Sequence, residues 1–273
     1  MATQEEKGRA FRALHQQTSA FIIPNPFDMG TAKLLAYLGF PALATTSAGY
    51  AFTMGLPDFR VGRERMLAHV ADIAAATDLP VSADLEDGFG DDPGTVAETI
   101  RRAAQAAAVG GSIEDASGRA DMPIYDIGLA VERIHAAAEA ARALPFPFTL
   151  TARAENYLNG RPDLADTIKR LQAYQEAGAD VLYAPGLTSK DEIAAVLGAV
   201  DRPLNVVMGL QGVSLGLGEL QDLGVRRVSV GSALSRAALG AFMRAAKEMR
   251  EHGTFDFAEE AIPYKAISEI FDR

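Results

Sequence analysis

A run of acidic residues stands directly after an apolar stretch, and no other part of the sequence says as much about chemistry. Asp84, Glu86 and Asp87 follow the apolar residues 79–83, and glycines come next. Carboxylates crowded at the end of a buried strand repel one another, so they need a cation or a shared proton. The pattern predicts a site for a hard divalent cation with oxygen ligands.

Other apolar runs along the chain are also followed by polar side chains. With the acidic run included, these are Asn25, Thr46, Ser47, Asp84, Glu86, Glu114, Asp115, Arg153 and Asn205. If the runs are parallel strands of one barrel, their carboxyl ends meet at one mouth, where four or more carboxylates then surround one arginine. Mg²⁺ suits such oxygen ligands best and Mn²⁺ is possible, whereas softer metals are disfavoured because the chain has no cysteine and its histidines avoid the strand ends.

Arg153 follows an apolar run in the predicted barrel wall, where a lone cation needs an anion. A substrate carboxylate held by both guanidinium nitrogens would satisfy it. The alternative is a structural salt bridge to Glu155 or to a strand-end carboxylate. Asp115 is open between a functional role and ordinary loop charge, and Asp87 is expected to be a solvated or indirect neighbour of the site.

Several enzyme classes are disfavoured because the residues that they need are absent from the chain or do not follow a predicted strand. The chain has no cysteine and no G-x-S-x-G motif, and its lysines avoid the strand ends, which argues against thiol, serine and Schiff-base chemistry. A glycoside hydrolase using Asp84 and Glu114 would need a sugar-lined cleft, and the chain has only 7% aromatic residues and no tryptophan. What remains is a metal that stabilises an oxyanion on a carboxylate substrate, as in enolate chemistry beside a 2-oxo acid.

The composition of the chain indicates which kinds of partner it binds. A net charge of -10 and a pI near 4.9 argue against nucleic acid, which is usually bound by a basic surface. No apolar run approaches the roughly 20 residues that span a bilayer. We therefore expect a cytoplasmic protein with a small-molecule substrate.

The order of the elements predicts the fold. Eight apolar, β-branched runs alternate with alanine-rich segments of helical period, which favours a (β/α)8 TIM barrel over an open doubly wound sheet. We expect one such domain over residues 1–273, with 257–273 as a C-terminal amphipathic helix beyond the last barrel unit. The apolar face of that helix needs a partner surface, so a homo-oligomer is expected.

Linked motifs in the same order resemble the isocitrate lyase/phosphoenolpyruvate mutase superfamily. The motifs are Asp84-Leu85-Glu86-Asp87-Gly88-Phe89-Gly90, Ser112-Ile113-Glu114-Asp115 and Thr151-Ala152-Arg153-Ala154-Glu155, preceded by Thr45-Thr46-Ser47-Ala48-Gly49 and Gly55-Leu56-Pro57-Asp58. The resemblance runs from about Phe11 to Arg250. It implies a barrel whose last helix is exchanged between subunits of a dimer or tetramer, and Mg²⁺-dependent cleavage or formation of C–C or P–C bonds beside a 2-oxo acid.

The resemblance also implies a role for each matching residue. Asp84 would hold the metal, with Asp58, Glu86 and Glu114 bound to it or connected through water. Thr46, Ser47 and Ala48 would face the substrate carboxylate, and Arg153 and Asn205 would bind the substrate. Arg153, Glu114 and Asp58 are the expected catalytic residues.

One segment departs from the resemblance. Isocitrate and methylisocitrate lyases carry a loop with a catalytic cysteine after the fourth strand, and here residues 116–123 contain none. Arg119, Ser117 or Asp121 could take over its proton or anion handling. The expected function is therefore a lyase or phosphonomutase-like enzyme. The alternatives are a phosphonopyruvate hydrolase or oxaloacetate decarboxylase type of activity, or a metal-dependent 2-oxo acid binding protein without turnover.

Overall fold

Eight parallel strands form the centre of the molecule. The structure is a computed structural model, and it describes residues 2–272. The strands run β1 Phe21–Ile23, β2 Leu43–Ala44, β3 Val81–Asp84, β4 Gly110–Glu114, β5 Thr149–Arg153, β6 Val181–Tyr183, β7 Leu204–Val207 and β8 Arg227–Ser229. They pair in the order β1-β8-β7-β6-β5-β4-β3-β2, all parallel. The predicted (β/α)8 barrel is confirmed.

Helices cover the outside of the strands and connect them. They are α1 Gln4–Gln16, α2 Met29–Tyr37, α3 Ser47–Thr53, α4 Arg63–Ala76, α5 Pro93–Gln105, α6 Ile127–Arg142, α7 Leu164–Glu176, α8 Lys190–Leu197, α9 Leu217–Leu223, α10 Ala233–His252 and α11 Tyr264–Phe271. Aspartate side chains cap the N-termini of several helices. At the start of α5, Asp92 Oδ2 accepts from Thr95 N at 2.9 Å, and at the start of α7, Asp163 Oδ1 accepts from Asp166 N at 3.0 Å. Such caps satisfy backbone donors that the first turn leaves free.

The barrel closes at the seam between β1 and β2. Ala44 N donates to Pro24 O at 3.1 Å, and Asn25 Nδ2 donates to Thr45 O at 3.0 Å. The same Asn25 accepts through Oδ1 from the backbone of Val230 and Gly231, each at 2.9 Å. One amide therefore ties the ends of β1, β2 and β8 together, which gives this strand-end residue a structural role.

The main core lies between the strands and the surrounding helices. Leu85, Ile113 and Leu150 pack against Val96 and Ile100 of α5, and all are fully buried. Helix α6 contributes alanines at its inner face, which lets it approach α5 and the sheet closely. At the opposite end from the strand-end site, α1 closes the barrel with Phe11 and His15. The strand ends are thereby held on a rigid frame.

Two parts of the chain differ from the expectation. Residues 257–273 were predicted to form one amphipathic helix, but the described part forms a 3₁₀ helix, Asp256–Glu260, and then α11. Pro263 separates them, because proline cannot donate the backbone hydrogen bond that a continuous helix needs. The short helices α3 and α9 were not predicted, since seven residues give too little periodicity to recognise.

Helix α10 leaves the barrel with one side of it uncovered. Of the α10 side chains, Ser235 is buried within this chain, whereas the apolar side chains of Leu239, Phe242, Met243 and Met249 are exposed. Helix α11 returns to pack on α2, where Lys33 Nζ donates to Phe271 O at 3.3 Å. No helix of residues 2–272 combines the length and the apolar character that crossing a membrane requires.

Candidate active site

A cavity of about 200 Å³ opens at the carboxyl ends of the strands. The residues predicted for the site come together there: the wall includes Thr46, Ser47, Ala48, Asp58, Asp84, Arg153 and Asn205. Glu86 and Glu114 lie just behind it, since Glu86 O accepts from Glu114 N at 3.0 Å and Glu114 contacts Arg153. The strand-end pattern thus locates one continuous site.

Asp84 lies at the centre of this site because β3 ends there. Its Oδ2 accepts from Ser47 N at 2.9 Å, and its backbone N–H donates to Thr45 Oγ1 at 2.8 Å. Thr46 begins α3 and accepts from Gly49 N at 3.2 Å. The loop after β2 and the end of β3 therefore fix the Asp84 carboxylate, with Oδ1 directed to Arg153 at 3.1 Å.

Arg153 is paired with three carboxylates. Its Nη1 lies 2.9 Å from Glu114 Oε2 and 3.1 Å from Asp84 Oδ1, and its Nη2 lies 2.7 Å from Glu155 Oε1. The salt bridge to Glu155 weighed from the sequence is therefore present. Burial alone would lower the pKa of this guanidinium, but the charges of its carboxylate neighbours outweigh burial and raise the pKa above its ordinary value.

Three carboxyl groups on this side of the cavity have raised pKa values, which means that their charged forms are disfavoured. Burial, followed by the charges of Asp84, Asp58 and Asp87, raises the pKa of Glu86 to about 8. Burial and Asp84 also raise the pKa of Asp58, whose Oδ1 accepts from Phe59 N at 3.1 Å. Burial raises the pKa of Glu114 although Arg153 opposes it. This side of the cavity has more negative charge than Arg153 can balance.

Glu86 shows the imbalance most clearly. It adopts a left-handed backbone conformation, φ 50°, which costs an L residue about 1 kcal/mol or more. Its buried Oε1 has no hydrogen-bond partner in the described part of the chain. An orphaned carboxylate oxygen beside Asp84 and Asp58 fits a cation or its bound water.

The donor set suits Mg²⁺ held mainly through water. Among residues 2–272, no three carboxylate or imidazole groups converge closely enough to hold one ion between them. Mg²⁺ commonly keeps several waters and takes one or two protein carboxylates, so this arrangement fits Mg²⁺ better than a metal that needs a complete protein cage. The four histidines lie on α1, α4, α6 and α10, away from the carboxyl ends of the strands, as expected.

The sequence matches a known family model over most of its length. Residues 11–250 match the model described as phosphoenolpyruvate phosphomutase. The chain belongs to the phosphoenolpyruvate phosphomutase family. The resemblance to the isocitrate lyase/phosphoenolpyruvate mutase superfamily, stated from its motifs, is confirmed.

Members and neighbours of the family align along nearly the whole chain. A crystal structure of a protein from Burkholderia cenocepacia J2315 superposes with a TM-score of 0.97 at 68% identity, covering 99% of this chain and 97% of that one. The 2-methylisocitrate lyase of Bacillus subtilis is 30% identical over 93% of this chain and 85% of its own length. A phosphonopyruvate hydrolase structure with oxalate and Mg²⁺ has a TM-score of 0.85 at 25% identity, covering 97% and 94%.

Residues 116–123 occupy the place of the cysteine-containing loop of the isocitrate and methylisocitrate lyases, and this segment is folded back on itself. Ala116 pairs with Ile124, and the Ser117 hydroxyl donates to Met122 O. Arg119 Nη1 lies 2.8 Å from Asp91 Oδ2, and its guanidinium lies over the Tyr125 ring. Ser117 and Arg119 are therefore engaged within or beside the loop, and none of Ser117, Arg119 and Asp121 lines the cavity.

Two acidic neighbours have structural partners. Asp115 is buried and accepts from Tyr174 Oη at 2.6 Å, Glu155 N at 2.7 Å and Arg170 Nη1 at 3.0 Å. Asp87 accepts from Tyr125 Oη at 2.9 Å. These bonds anchor the ends of β4 and β5 behind the cavity, so Asp115 supports the site from outside it.

Three residues on the opposite side of the cavity were not predicted from the sequence. Tyr183, Arg227 and Ser229 line it together with Asn205. Asn205 Oδ1 accepts from Arg227 Nε at 2.9 Å, and its Nδ2 donates to Ser229 Oγ at 3.0 Å. Asn205 is thus in the cavity wall as expected, with both side-chain ends already bonded. Arg227 was overlooked because a charge at the start of a strand is usually solvated.

Arg227 is a buried cation with neutral partners. Besides Asn205 it contacts Thr151 Oγ1 at 3.0 Å and His15 Nε2 at 3.4 Å. Burial, with the nearby positive charge of Arg153, lowers the pKa of Arg227 to about 10. Burial, then Arg227, lowers the pKa of His15 to about 3, so His15 is neutral and accepts from the guanidinium. The cavity is negative on the β3–β4 side and positive on the β8 side.

Proposed function

We propose that this chain is a Mg²⁺-dependent enzyme that acts on a small 2-oxo carboxylate through an enolate and cleaves or forms a C–C or P–C bond. The observation that carries the proposal is the excess of buried carboxylates around Arg153, with one Glu86 oxygen that has no hydrogen-bond partner among residues 2–272. The phosphonopyruvate hydrolase named above, which was solved with oxalate and Mg²⁺, supports the same chemistry. Oxalate has the shape and charge of a pyruvate enolate.

The residues that would hold the cation are Asp84 directly, and Asp58, Glu86 and Glu114 through water. When bound, Mg²⁺ would polarise the 2-oxo group and offset the negative charge of the enolate. Asp84 is suited to this role because Ser47 N and Arg153 fix both of its oxygens. Mn²⁺ would serve the same ligands.

The chain's own residues orient the substrate. We place the substrate carboxylate against residues 46–48, which line the cavity beside Asp84. Arg153 then faces the oxygen that gains charge, since its Nη1 already spans Asp84 and Glu114. Asn205 is held rigid by Arg227 and Ser229 and borders the rest of the substrate. A preorganised cation and amide of this kind stabilise developing charge without having to move.

The positive side of the cavity favours a dianion, such as oxaloacetate or phosphonopyruvate. Arg227 has no carboxylate partner among the described residues, so a second negative group on the substrate would balance it. The missing cysteine disfavours the proton transfer used by isocitrate and methylisocitrate lyases. Decarboxylation or hydrolysis of such a dianion is the form of the reaction that we favour.

The active form would be a homo-oligomer. The exposed apolar residues of α10 need cover, and a second copy of the chain supplies a surface of the right character. Exchange of the last helices between subunits, as the family resemblance implies, would provide it.

The test is a product assay on a panel of small carboxylates that can each yield pyruvate. Oxaloacetate, phosphonopyruvate and 2-methylisocitrate are incubated with the protein and Mg²⁺, and pyruvate release is followed. The proposal expects Mg²⁺-dependent release from at least one of them, and loss of release in Asp84→Ala. If oxalate binds in a Mg²⁺-dependent way but no member of the panel turns over, the protein is a 2-oxo acid binding protein and the enzymatic proposal fails.

A further inference from the structure

Tyr183 ends β6 inside the cavity. The register places it beside Arg153 of β5 and Asn205 of β7, and its side chain is buried. The guanidinium carbon of Arg153 lies 4.9 Å from the centre of its ring. An aromatic ring against a buried guanidinium is held firmly. The phenol is thus a fixed group that lines the same cavity as Asp84.

A chain of hydrogen bonds sets the direction of the protons around Tyr183. A guanidinium can only donate, so the Asn205 atom 2.9 Å from Arg227 Nε must be the carbonyl oxygen. The amide nitrogen of Asn205 then donates to Ser229 Oγ at 3.0 Å. Ser229 accepts in this bond and keeps its own hydrogen, and its hydroxyl lies close enough to Tyr183 to favour the phenolate. The Tyr183 side chain lines the cavity, so its hydroxyl can meet a bound substrate there.

The surroundings keep this phenol protonated and still allow it to lose a proton briefly. Burial raises the pKa of Tyr183 to about 12, so the hydroxyl is intact at neutral pH. Arg153 and Ser229 both favour the phenolate once it forms. Burial outweighs both of them, so the phenol gives up its proton only to a strongly basic partner, such as the carbon of an enolate.

Other groups are less suited to donate a proton on this side. Ser117 and Arg119 of the loop are bonded to Met122 O and Asp91. Asp58 and Glu86 lie on the opposite, acidic side with Asp84, where the proposed cation is held. The chain contains no cysteine. Tyr183 lines the cavity and is the phenol whose ring lies against Arg153, at 4.9 Å from the guanidinium carbon.

We propose that Tyr183 is the catalytic acid that protonates the enolate carbon, in place of the thiol that other members of the superfamily use. In this step the O–H bond of Tyr183 breaks and a C–H bond forms at C3 of the enolate, which becomes the neutral 2-oxo group. The electron pair stays on the phenolate oxygen, and water returns a proton to it. The inference rests on the proposed function, since it needs an enolate to form.

The experiment follows exchange of the C3 hydrogens of pyruvate in D₂O by NMR, with protein and Mg²⁺. By microscopic reversibility the same tyrosine must carry protons to and from C3. Tyr183→Phe keeps the ring against Arg153 and removes only the hydroxyl. We expect exchange and turnover to fall about 100-fold or more. Oxalate should still raise the melting temperature of Tyr183→Phe as it does for the wild type.

Two further variants separate chemistry from folding. Tyr157→Phe is the matched control, because its hydroxyl bonds Glu192 at 2.9 Å outside the cavity. It should exchange pyruvate at the wild-type rate. Ser229→Ala removes a hydroxyl that favours the Tyr183 phenolate, and it should slow exchange about tenfold with oxalate binding unchanged. A wild-type rate in Ser229→Ala would show that Ser229 does not stabilise the phenolate and would contradict its part in the proposed step.

The outcomes distinguish the two proposals. If Tyr183→Phe exchanges pyruvate as fast as the wild type, the tyrosine is not the acid although the proposed function stands. If Tyr183→Phe loses oxalate binding together with exchange, its role is structural and the inference is overturned. If the wild type neither exchanges pyruvate nor releases product from any substrate of the panel, the proposed function and the inference both fail.

Discussion

Replacing Glu86 by glutamine should stabilise the metal-free protein at alkaline pH. The pKa of Glu86 is raised from 4.5 to about 8, because burial and three neighbouring aspartates disfavour its charge. A carboxyl whose pKa is raised by folding costs no stability below pH 4.5, where it is protonated in both states. The cost grows as the pH rises towards 8, because the unfolded chain is then ionised at this position.

The magnitude follows from the same values. Each tenfold change in proton affinity corresponds to about 1.4 kcal/mol, so a shift from 4.5 to about 8 sets an upper bound of about 5 kcal/mol. The neighbouring carboxyls share protons with Glu86, so one substitution should recover roughly half of this, about 2 kcal/mol. The glutamine amide can also donate a further hydrogen bond to the surrounding carboxylates.

The assay is urea unfolding in a chelator at pH 5, 6.5 and 8, followed by circular dichroism. Glu86→Gln should match the wild type at pH 5 and exceed its free energy of unfolding by about 2 kcal/mol at pH 8. Glu98→Gln, on the exposed face of α5, is the control and should change stability little at either pH. A Glu86→Gln variant that is equally stable or less stable than the wild type at pH 8 would refute the charge imbalance.

Two further predictions follow from the contacts. Arg153→Met leaves Glu114 and Glu155 buried without their cation, so the metal-free protein should lose about 3 to 5 kcal/mol of unfolding free energy at neutral pH, measured in urea. Arg101→Met, which breaks an exposed pair, should change it little, and a small loss in Arg153→Met would show that the cluster does not depend on its arginine. Phe242→Glu on α10 should convert an oligomer to monomer in light scattering, whereas Leu38→Glu should not, although both side chains are 68% exposed. A Phe242→Glu protein of unchanged mass would place the subunit interface elsewhere.

The acidic side of the site could be read from the sequence because its chemistry is local. Asp84 and Glu86 follow a recognisable strand, and a parallel barrel brings strand ends together whatever the details of the loops. The repeated β/α order fixed the fold for the same reason. Asp58 lies in a loop with no strand before it, and it was placed only through the family resemblance.

The positive side could not be read in the same way. Arg227 begins its strand and reaches His15 of α1, a residue far away in sequence, through the barrel interior. Tyr183 ends an apolar run and looks like ordinary core until the register sets it beside Arg153. The pairing of Glu114 with Arg153 also depends on register, since Glu114 and Arg153 are directly opposite on β4 and β5. Long-range contacts of this kind leave no pattern in a single sequence.

In the proposed function, a divalent cation on Asp84 creates the binding site for an enolate-like dianion. Calorimetric titration of oxalate into the protein, with Mg²⁺ or with a chelator, measures this dependence on the cation. We expect saturable binding with Mg²⁺, at least a hundredfold weaker binding in the chelator, and a similar loss in Asp84→Asn with Mg²⁺ present. Oxalate binding of equal affinity in the chelator would contradict it.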